Sequence, residues 1–260
     1  MIRNPFARSR RARAPAGSRV YAIGDIHGRA DLLAALHRMI RDDAAGRPVS
    51  RRVVVYVGDY IDRGPDSRAV IDILLDAPLA GFESVHLLGN HEAFLLDFLD
   101  DAAVGPDWLF NGGAATLASY GVESPWPSRL GEAAFGAARV GDPPDRIQAE
   151  LRRRLPARHL TFLRELRLSH VEGDYLFVHA GVRPGVPLDR QARRDLLWIR
   201  DEFLDSGADL GKVVVHGHSI ADEPELRANR IGIDTGAFAT GRLTCLVLEG
   251  ADRRFLATRP

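Results

Sequence analysis

Five short runs of β-branched and aromatic residues in this chain each stop at a cluster of Gly with Asp, Asn or His, and this recurrence constrains the fold most. Residues 20–23 run into Gly24-Asp25-Ile26-His27-Gly28, and 53–57 into Gly58-Asp59-Tyr60-Ile61-Asp62-Arg63-Gly64. Residues 85–88 lead to Gly89-Asn90-His91-Glu92, 175–178 to His179-Ala180-Gly181, and 213–215 to His216-Gly217-His218-Ser219. Short apolar runs bounded by turn residues read as buried strands, and 244–248 is a sixth. Residues 31–41, 67–75 and 93–101 carry apolar side chains at helical spacing between the early runs. Strands alternating with helices predict an α/β fold. The carboxyl edge of such a sheet is where binding sites are built.

A turn has use for glycine and aspartate but no need of an imidazole each time. Asp25 or His218 alone would read as structural; the ordered series of five does not. Burying several such groups together is costly unless a cation pairs them. The donors are oxygen and nitrogen only, which suits borderline or hard divalent ions such as Mn, Fe or Zn. Six ligands exceed one tetrahedral site, so two ions sharing one Asp is the economical expectation. Cys245 is the single cysteine, which excludes an intrachain disulfide and a thiolate cage and fits a reducing cytoplasm. It lies in a strand-like run with no helix N-terminus after it, which disfavours a cysteine nucleophile.

These segments together resemble the phosphoprotein phosphatase family of serine/threonine phosphatases, in its bacterial and phage-type branch, among the calcineurin-like metallophosphoesterases. The likeness runs from Tyr21 to about Leu248. It implies a four-layer αββα sandwich of mixed sheets. It implies that Asp25 and His27 hold a first metal, that Asp59 bridges, and that Asn90, His179 and His218 complete the second. His91 is then the general acid, oriented by Asp62, with Arg63 and Arg200 gripping the phosphate. The implied reaction is phosphomonoester hydrolysis of phosphoserine or phosphothreonine by a hydroxide bridging two divalent ions, Mn first and Fe or Zn next. A symmetrical diadenosine-tetraphosphate hydrolase shares every metal motif, but usually has Trp after the last ligand histidine, where this chain has Ser219. A non-catalytic binding protein is the third reading, and no missing ligand supports it.

Other residues carry weaker expectations. His216 sits behind the ligands, Glu92 starts a helix or braces a loop, and Asp234 serves backbone hydrogen bonding. His37, His86, His159 and His170 are structural. Trp108, Asn111, Gly112 and Gly113 line the substrate cleft or simply pack, and Asn111 is the one placed on substrate.

Lys+Arg and Asp+Glu are both 35, so the net charge is zero, but Arg3, Arg8, Arg10, Arg11, Arg13 and Arg19 crowd the first nineteen residues. Without them 29 bases face 35 acids, leaving a body near −6. Residues 1–18 are expected to be a disordered basic arm and 19–260 one domain, with an inserted helical lobe over about 105–170. No apolar run is long enough to span a membrane, and neither a membrane nor a stable nucleic-acid partner is expected. The chain is expected to be a cytoplasmic monomer whose partner is a phosphorylated protein or a small phosphoester.

Overall fold

The computed structural model describes residues 11–123 and 144–259. Ten strands are present among them: β1 (Ser18–Ile23), β2 (Arg51–Tyr56), β3 (Glu83–His86), β4 (Ser169–Glu172), β5 (Tyr175–Val178), β6 (Val213–His216), β7 (Glu225–Leu226), β8 (Arg230–Gly232), β9 (Thr244–Glu249) and β10 (Asp252–Ala257). They form two mixed sheets, ordered β10-β9-β1-β2-β3 and β4-β5-β6-β8-β7. Within them β1, β2 and β3 run parallel, as do β5, β6 and β8. The motif-bearing strands are therefore the parallel ones, and their carboxyl ends point the same way within each sheet.

Helices α1 (Ala30–Ala45), α2 (Ser67–Asp76) and α3 (Asn90–Asp100) follow the first three strands. The chain between β3 and β4 then adds α4 (Gly105–Trp108), a bulged turn (Leu109–Gly113), α5 (Ala114–Ser119), α6 (Pro144–Arg154) and α7 (Ala157–Arg164). Helices α8 (Arg193–Trp198) and α9 (Asp201–Leu204) lie between β5 and β6.

Alternation along the strands sorts the side chains into layers. Val20, Ala22, Val53, Val55, Leu246 and Leu248 face Tyr175, Phe177, Val213, Val215 and Ile231 of the other sheet. Their alternates Tyr21, Ile23, Val54, Tyr56 and Val247 pack under α1, α2 and α3. Leu176, Val178 and Val214 turn outward onto Leu196, Ile199 and Phe203. The result is a four-layer αββα sandwich.

Trp108, Leu117, Ile147, Leu151 and Phe162 of the helical insertion share one apolar cluster with Tyr56 and Ile61. Arg158 pairs with Asp72 and Asp76 of α2, and His159 Nε2 lies 3.0 Å from Asp72. Ser169 and His170, placed at the end of the lobe by sequence, belong to β4. Residues 124–143 of the lobe lie outside the described residues.

Part of the arm expected over 1–18 is held in place. Ala14 is buried and donates its N–H to Gly250 O at 2.8 Å. Arg13 N donates to Asp174 Oδ2 at 2.9 Å, and Tyr175 Oη donates to Ala12 O at 3.1 Å. Ser18 already belongs to β1. Turns at the ends of both sheets thus tie down residues 12–18 through backbone groups, which composition does not reveal. Residues 1–10 lie outside the described residues. No helix among the described residues is long and apolar enough to cross a membrane.

Two of the structural histidines make stability depend on pH. His86 stacks on Tyr56 with ring centroids 4.9 Å apart, and His37 Nε2 lies 2.9 Å from Tyr56 Oη. Burial pushes both imidazoles down to about 4 from the ordinary 6.5. The unfolded chain then binds more protons in that window, so this stability is complete above 6.5 and is lost as pH falls through 4. We expect the unfolding free energy of the metal-free protein to fall between pH 6.5 and 4. His86→Phe should make that fall shallower by on the order of 3 kcal/mol. An identical acid slope in urea titrations of the variant would contradict this.

Candidate metal centre

Five strand ends deliver the polar residues. Asp25 and His27 follow β1, and Asp59, Asp62 and Arg63 follow β2. Asn90, His91 and Glu92 form the first turn of α3 after β3, while His179 and His218 follow β5 and β6. All of these side chains are buried except Arg63, which is partly exposed. Five residues other than glycine have positive φ among the described residues: His27 (45°), Asp59 (52°), Asp62 (72°), Arg63 (66°) and His218 (63°). Each belongs to the predicted site. Left-handed backbone costs a non-glycine residue about 1–3 kcal/mol and persists only where surrounding contacts hold it.

One of those contacts is Glu92. Its carboxylate accepts N–H bonds from Asp59 (2.9 Å), Tyr60 (2.7 Å), Ile61 (3.3 Å) and Gly89 (3.0 Å). A single buried side chain thereby ties the loop after β2 to the start of α3.

Asp59 lies at the centre. His27 Nδ1 donates to Ile61 O at 2.9 Å, which leaves Nε2 with its lone pair facing Asp59 Oδ2 at 3.5 Å. His179 Nδ1 donates to Val57 O at 2.9 Å, and its Nε2 faces Asp59 Oδ1 at 3.4 Å. Each carboxylate oxygen therefore confronts an imidazole lone pair with no proton between them. Asn90 Oδ1 adds to the second side, 2.8 Å from His179 Nε2 and 2.9 Å from His218 Nδ1. On the first side Asp25 Oδ2 accepts from His218 N at 3.0 Å, while Oδ1 is buried without a partner among the described residues. A Cβ at residue 217 would lie 1.9 Å from that oxygen, so only glycine leaves it room.

Acceptors that face acceptors in a buried space call for cations. His27, Asp59 and His91 make one group with metal-ligating spacing, and Asp59, His179 and His218 make another. The donors present fit two divalent ions sharing Asp59. Burial pushes the pKa of His27 well below the ordinary value, with the charge of His91 adding to the effect. Burial, then His179, takes His218 down to about 2. Neutral rings keep lone pairs able to bind a cation, and that of His27 Nε2 here accepts from the Arg63 guanidinium.

His91 behaves differently. Burial opposes its charge, but Asp59 and Asp62 outweigh that and hold its pKa above 6.5. Its Nδ1 donates to Asp62 Oδ2 at 2.7 Å, and Nε2 lies 3.8 Å from Asp59 Oδ2. Arg63 Nη1 donates to His27 Nε2 at 2.8 Å, and its guanidinium stacks 5.1 Å from the Phe238 ring of α10 (Ala237–Thr240). Arg200 is exposed, donates to Ser219 Oγ at 3.4 Å, and helps depress the pKa of His179 and His218. Beside it, Trp198 meets the His218 ring edge-on at 6.1 Å, and Arg193, Arg194, Leu197 and Trp198 line a groove of about 480 Å³.

Asn111 is not brought to the centre by its hydrogen bonding: its amide donates to Asp107 O at 2.8 Å. Its neighbour Gly112 is the one that touches the site, accepting from Arg63 N at 3.2 Å. Asp234 does more than the expected backbone bonding. Its Oδ1 accepts from Gly236 N at 2.9 Å, burial pushes it up to about 6, and its charge adds to burial in raising the pKa of Asp25. Sequence reading left Trp108 undecided and missed Thr116, both of which donate to Asp62.

The family model for calcineurin-like phosphoesterases matches residues 18–239. The chain belongs to the calcineurin-like phosphoesterases. As a member it is a phosphoesterase-class hydrolase of a metal-using family. It is 30% identical to serine/threonine-protein phosphatase 2 of Salmonella typhimurium, covering 86% of this chain and 90% of that one. It is 32% identical to a symmetrical bis(5'-nucleosyl)-tetraphosphatase of Dechloromonas aromatica, over 63% of this chain and 44% of that one. Among solved structures, a cold-active protein tyrosine phosphatase superposes with a TM-score of 0.56 at 16% identity, covering 94% of this chain and 81% of that one.

The Glu92 brace makes a testable claim about this phosphoesterase. Glu92→Ala leaves buried N–H groups without acceptors and should lower the stability of the metal-free protein by about 3 kcal/mol. A loss below about 0.5 kcal/mol in chemical denaturation would show that the loops hold themselves.

Proposed function

We propose that this chain is a metal-dependent phosphomonoesterase that hydrolyses phosphoserine and phosphothreonine. The observation that carries the reading is the His91–Asp62 pair beside a carboxylate shared by two sets of metal-ligating groups. Asp25, His27 and Asp59 would hold one divalent cation, and Asp59, Asn90, His179 and His218 the other, with Mn as the expected metal. When bound, these ions supply Lewis acidity toward phosphate oxygens and make water a nucleophile at neutral pH.

The remaining work falls to the chain's own groups. Arg63 and Arg200 offer guanidinium forks to the equatorial oxygens of the phosphoryl group. An alkoxide leaving group needs a proton, and His91 Nε2 holds one while Asp62 fixes the ring through Nδ1. Paired imidazoles whose pKa values are driven apart, as in His27 and His91, mark the division between ligand and acid. Cys245 is fully buried in β9 and burial raises its thiol pKa, so direct hydrolysis is favoured over a phosphocysteine route.

One observation favours the phosphomonoesterase over a symmetrical dinucleoside tetraphosphatase. Ser219, not tryptophan, follows His218, and its hydroxyl meets Arg200.

Rigorous chelation should abolish turnover of an aryl phosphate, and Mn2+ should restore it; full activity after chelation would overturn the metal assignment. With the metal restored, phosphoserine and phosphothreonine peptides should be hydrolysed faster than phosphotyrosine peptide or diadenosine tetraphosphate. A strong preference for the dinucleotide would transfer the assignment to the second reading. His91→Asn should cut kcat by about 10²–10⁴ with little change in bound metal. Loss of the metal in that variant would identify His91 as a ligand.

A further inference from the structure

The helical insertion reaches the centre of the site through two side chains that the proposed reaction leaves unused. Asp62 is fully buried, and every donor to its carboxylate can be traced. Oδ2 accepts from His91 Nδ1 at 2.7 Å and from the indole Nε1 of Trp108 at 2.9 Å. Oδ1 accepts from Thr116 Oγ1 at 2.5 Å. Thr116 has a single proton and spends it on Asp62, so its oxygen accepts from Asp62 N at 2.9 Å and from Ser67 Oγ at 2.9 Å. An indole can only donate, so Asp62 Oδ2 is the acceptor in that contact. Three donors on two oxygens leave the carboxylate one orientation. That orientation presents an acceptor to His91 Nδ1 and turns His91 Nε2, buried and without a hydrogen-bond partner among the described residues, toward Asp59.

The seat of the indole is equally defined. A Cβ at residue 113 would lie 2.5 Å from Trp108 Cε2, so the ring lies against the bare backbone of Gly113. The preceding residue, Gly112, accepts from Arg63 N, so one turn holds both Asp62 and its neighbour in their left-handed conformations. Trp108 stands 46 residues from Asp62 and Thr116 stands 54.

We propose that Trp108 and Thr116 are positioning residues which aim the Asp62–His91 pair, so that the helical insertion sets how well the leaving group is protonated. The inference rests on the reading of His91 as general acid. It predicts an effect that scales with the leaving group's need for a proton. Phenyl phosphate needs one far more than 2,4-dinitrophenyl phosphate does.

The test compares kcat, KM and bound Mn2+ for the full-length, Mn2+-loaded protein and its Trp108→Phe, Thr116→Val, Thr116→Ser and His91→Asn variants across an aryl phosphate series. Trp108→Phe and Thr116→Val should lower kcat for phenyl phosphate by about tenfold, leave 2,4-dinitrophenyl phosphate within about twofold, and change neither KM nor bound metal. Thr116→Ser, which keeps the hydroxyl, should restore the parent slope. Equal losses on every ester would mean that the residues serve only packing, and parent-like kinetics in both variants would mean that Asp62 aims itself; either result overturns the proposal. If Trp108→Phe fails to fold, the Thr116 pair decides the outcome alone. A His91→Asn variant that loses activity equally on every ester, keeping the parent slope, would remove the acid assignment itself, a failure distinct from parent-like slopes confined to Trp108→Phe and Thr116→Val.

Discussion

Asp59 holds its two carboxylate oxygens in a buried space where the imidazoles of His27 and His179 point lone pairs at them from either side. Neither ring can relieve the contact by donating, because each has already given its proton to a backbone carbonyl. Asn90 Oδ1 and Asp25 Oδ1, which has no hydrogen-bond partner among the described residues, add further acceptors. An assembly of this kind is unfavourable by itself and is resolved by positive charge. Much of the surrounding architecture can be understood as what keeps these groups facing one another.

The sandwich does so by aligning strand ends. Parallel β1, β2 and β3 bring three motifs to one edge, and parallel β5 and β6 bring two more from the second sheet. The apolar layer between the sheets fixes their spacing, and Glu92 locks the loop after β2 against α3. Among the described residues the backbone then takes positive φ at five site residues and otherwise only at glycines. Strain collected where the acceptors meet is in keeping with a site whose geometry is imposed by the fold.

The strands that build this edge were legible because each is a short apolar run punctuated by glycine and a polar residue. Tyr175–Val178 is recovered with the same limits. Strands β4, β7 and β10 escaped because they lie at sheet edges with partly exposed residues, so no apolar run marks them. Strand β8 is buried but only three residues long, too short for any periodicity. Metal-ligating residue types could be read from strand ends, whereas the role of Trp108 could not. An indole beside a Gly-Gly turn looks like packing until the fold brings Asp62 within 2.9 Å of its nitrogen. The ordered stretch of the arm was hidden for a similar reason, since Ala14 is held by the carbonyl of Gly250 far along the chain. Local pattern reveals what a segment buries, not what it meets.

The proposed centre depends on one carboxylate serving two cations. Calorimetric titration of the chelated protein with Mn2+, checked by elemental analysis after dialysis, addresses that most directly. Two ions per chain are predicted, and Asp59→Asn should weaken both sites together, while His179→Ala should spare the site built on Asp25 and His27. A single ion per chain, or an Asp59→Asn variant that still binds two with unchanged affinity, would contradict the shared-carboxylate centre.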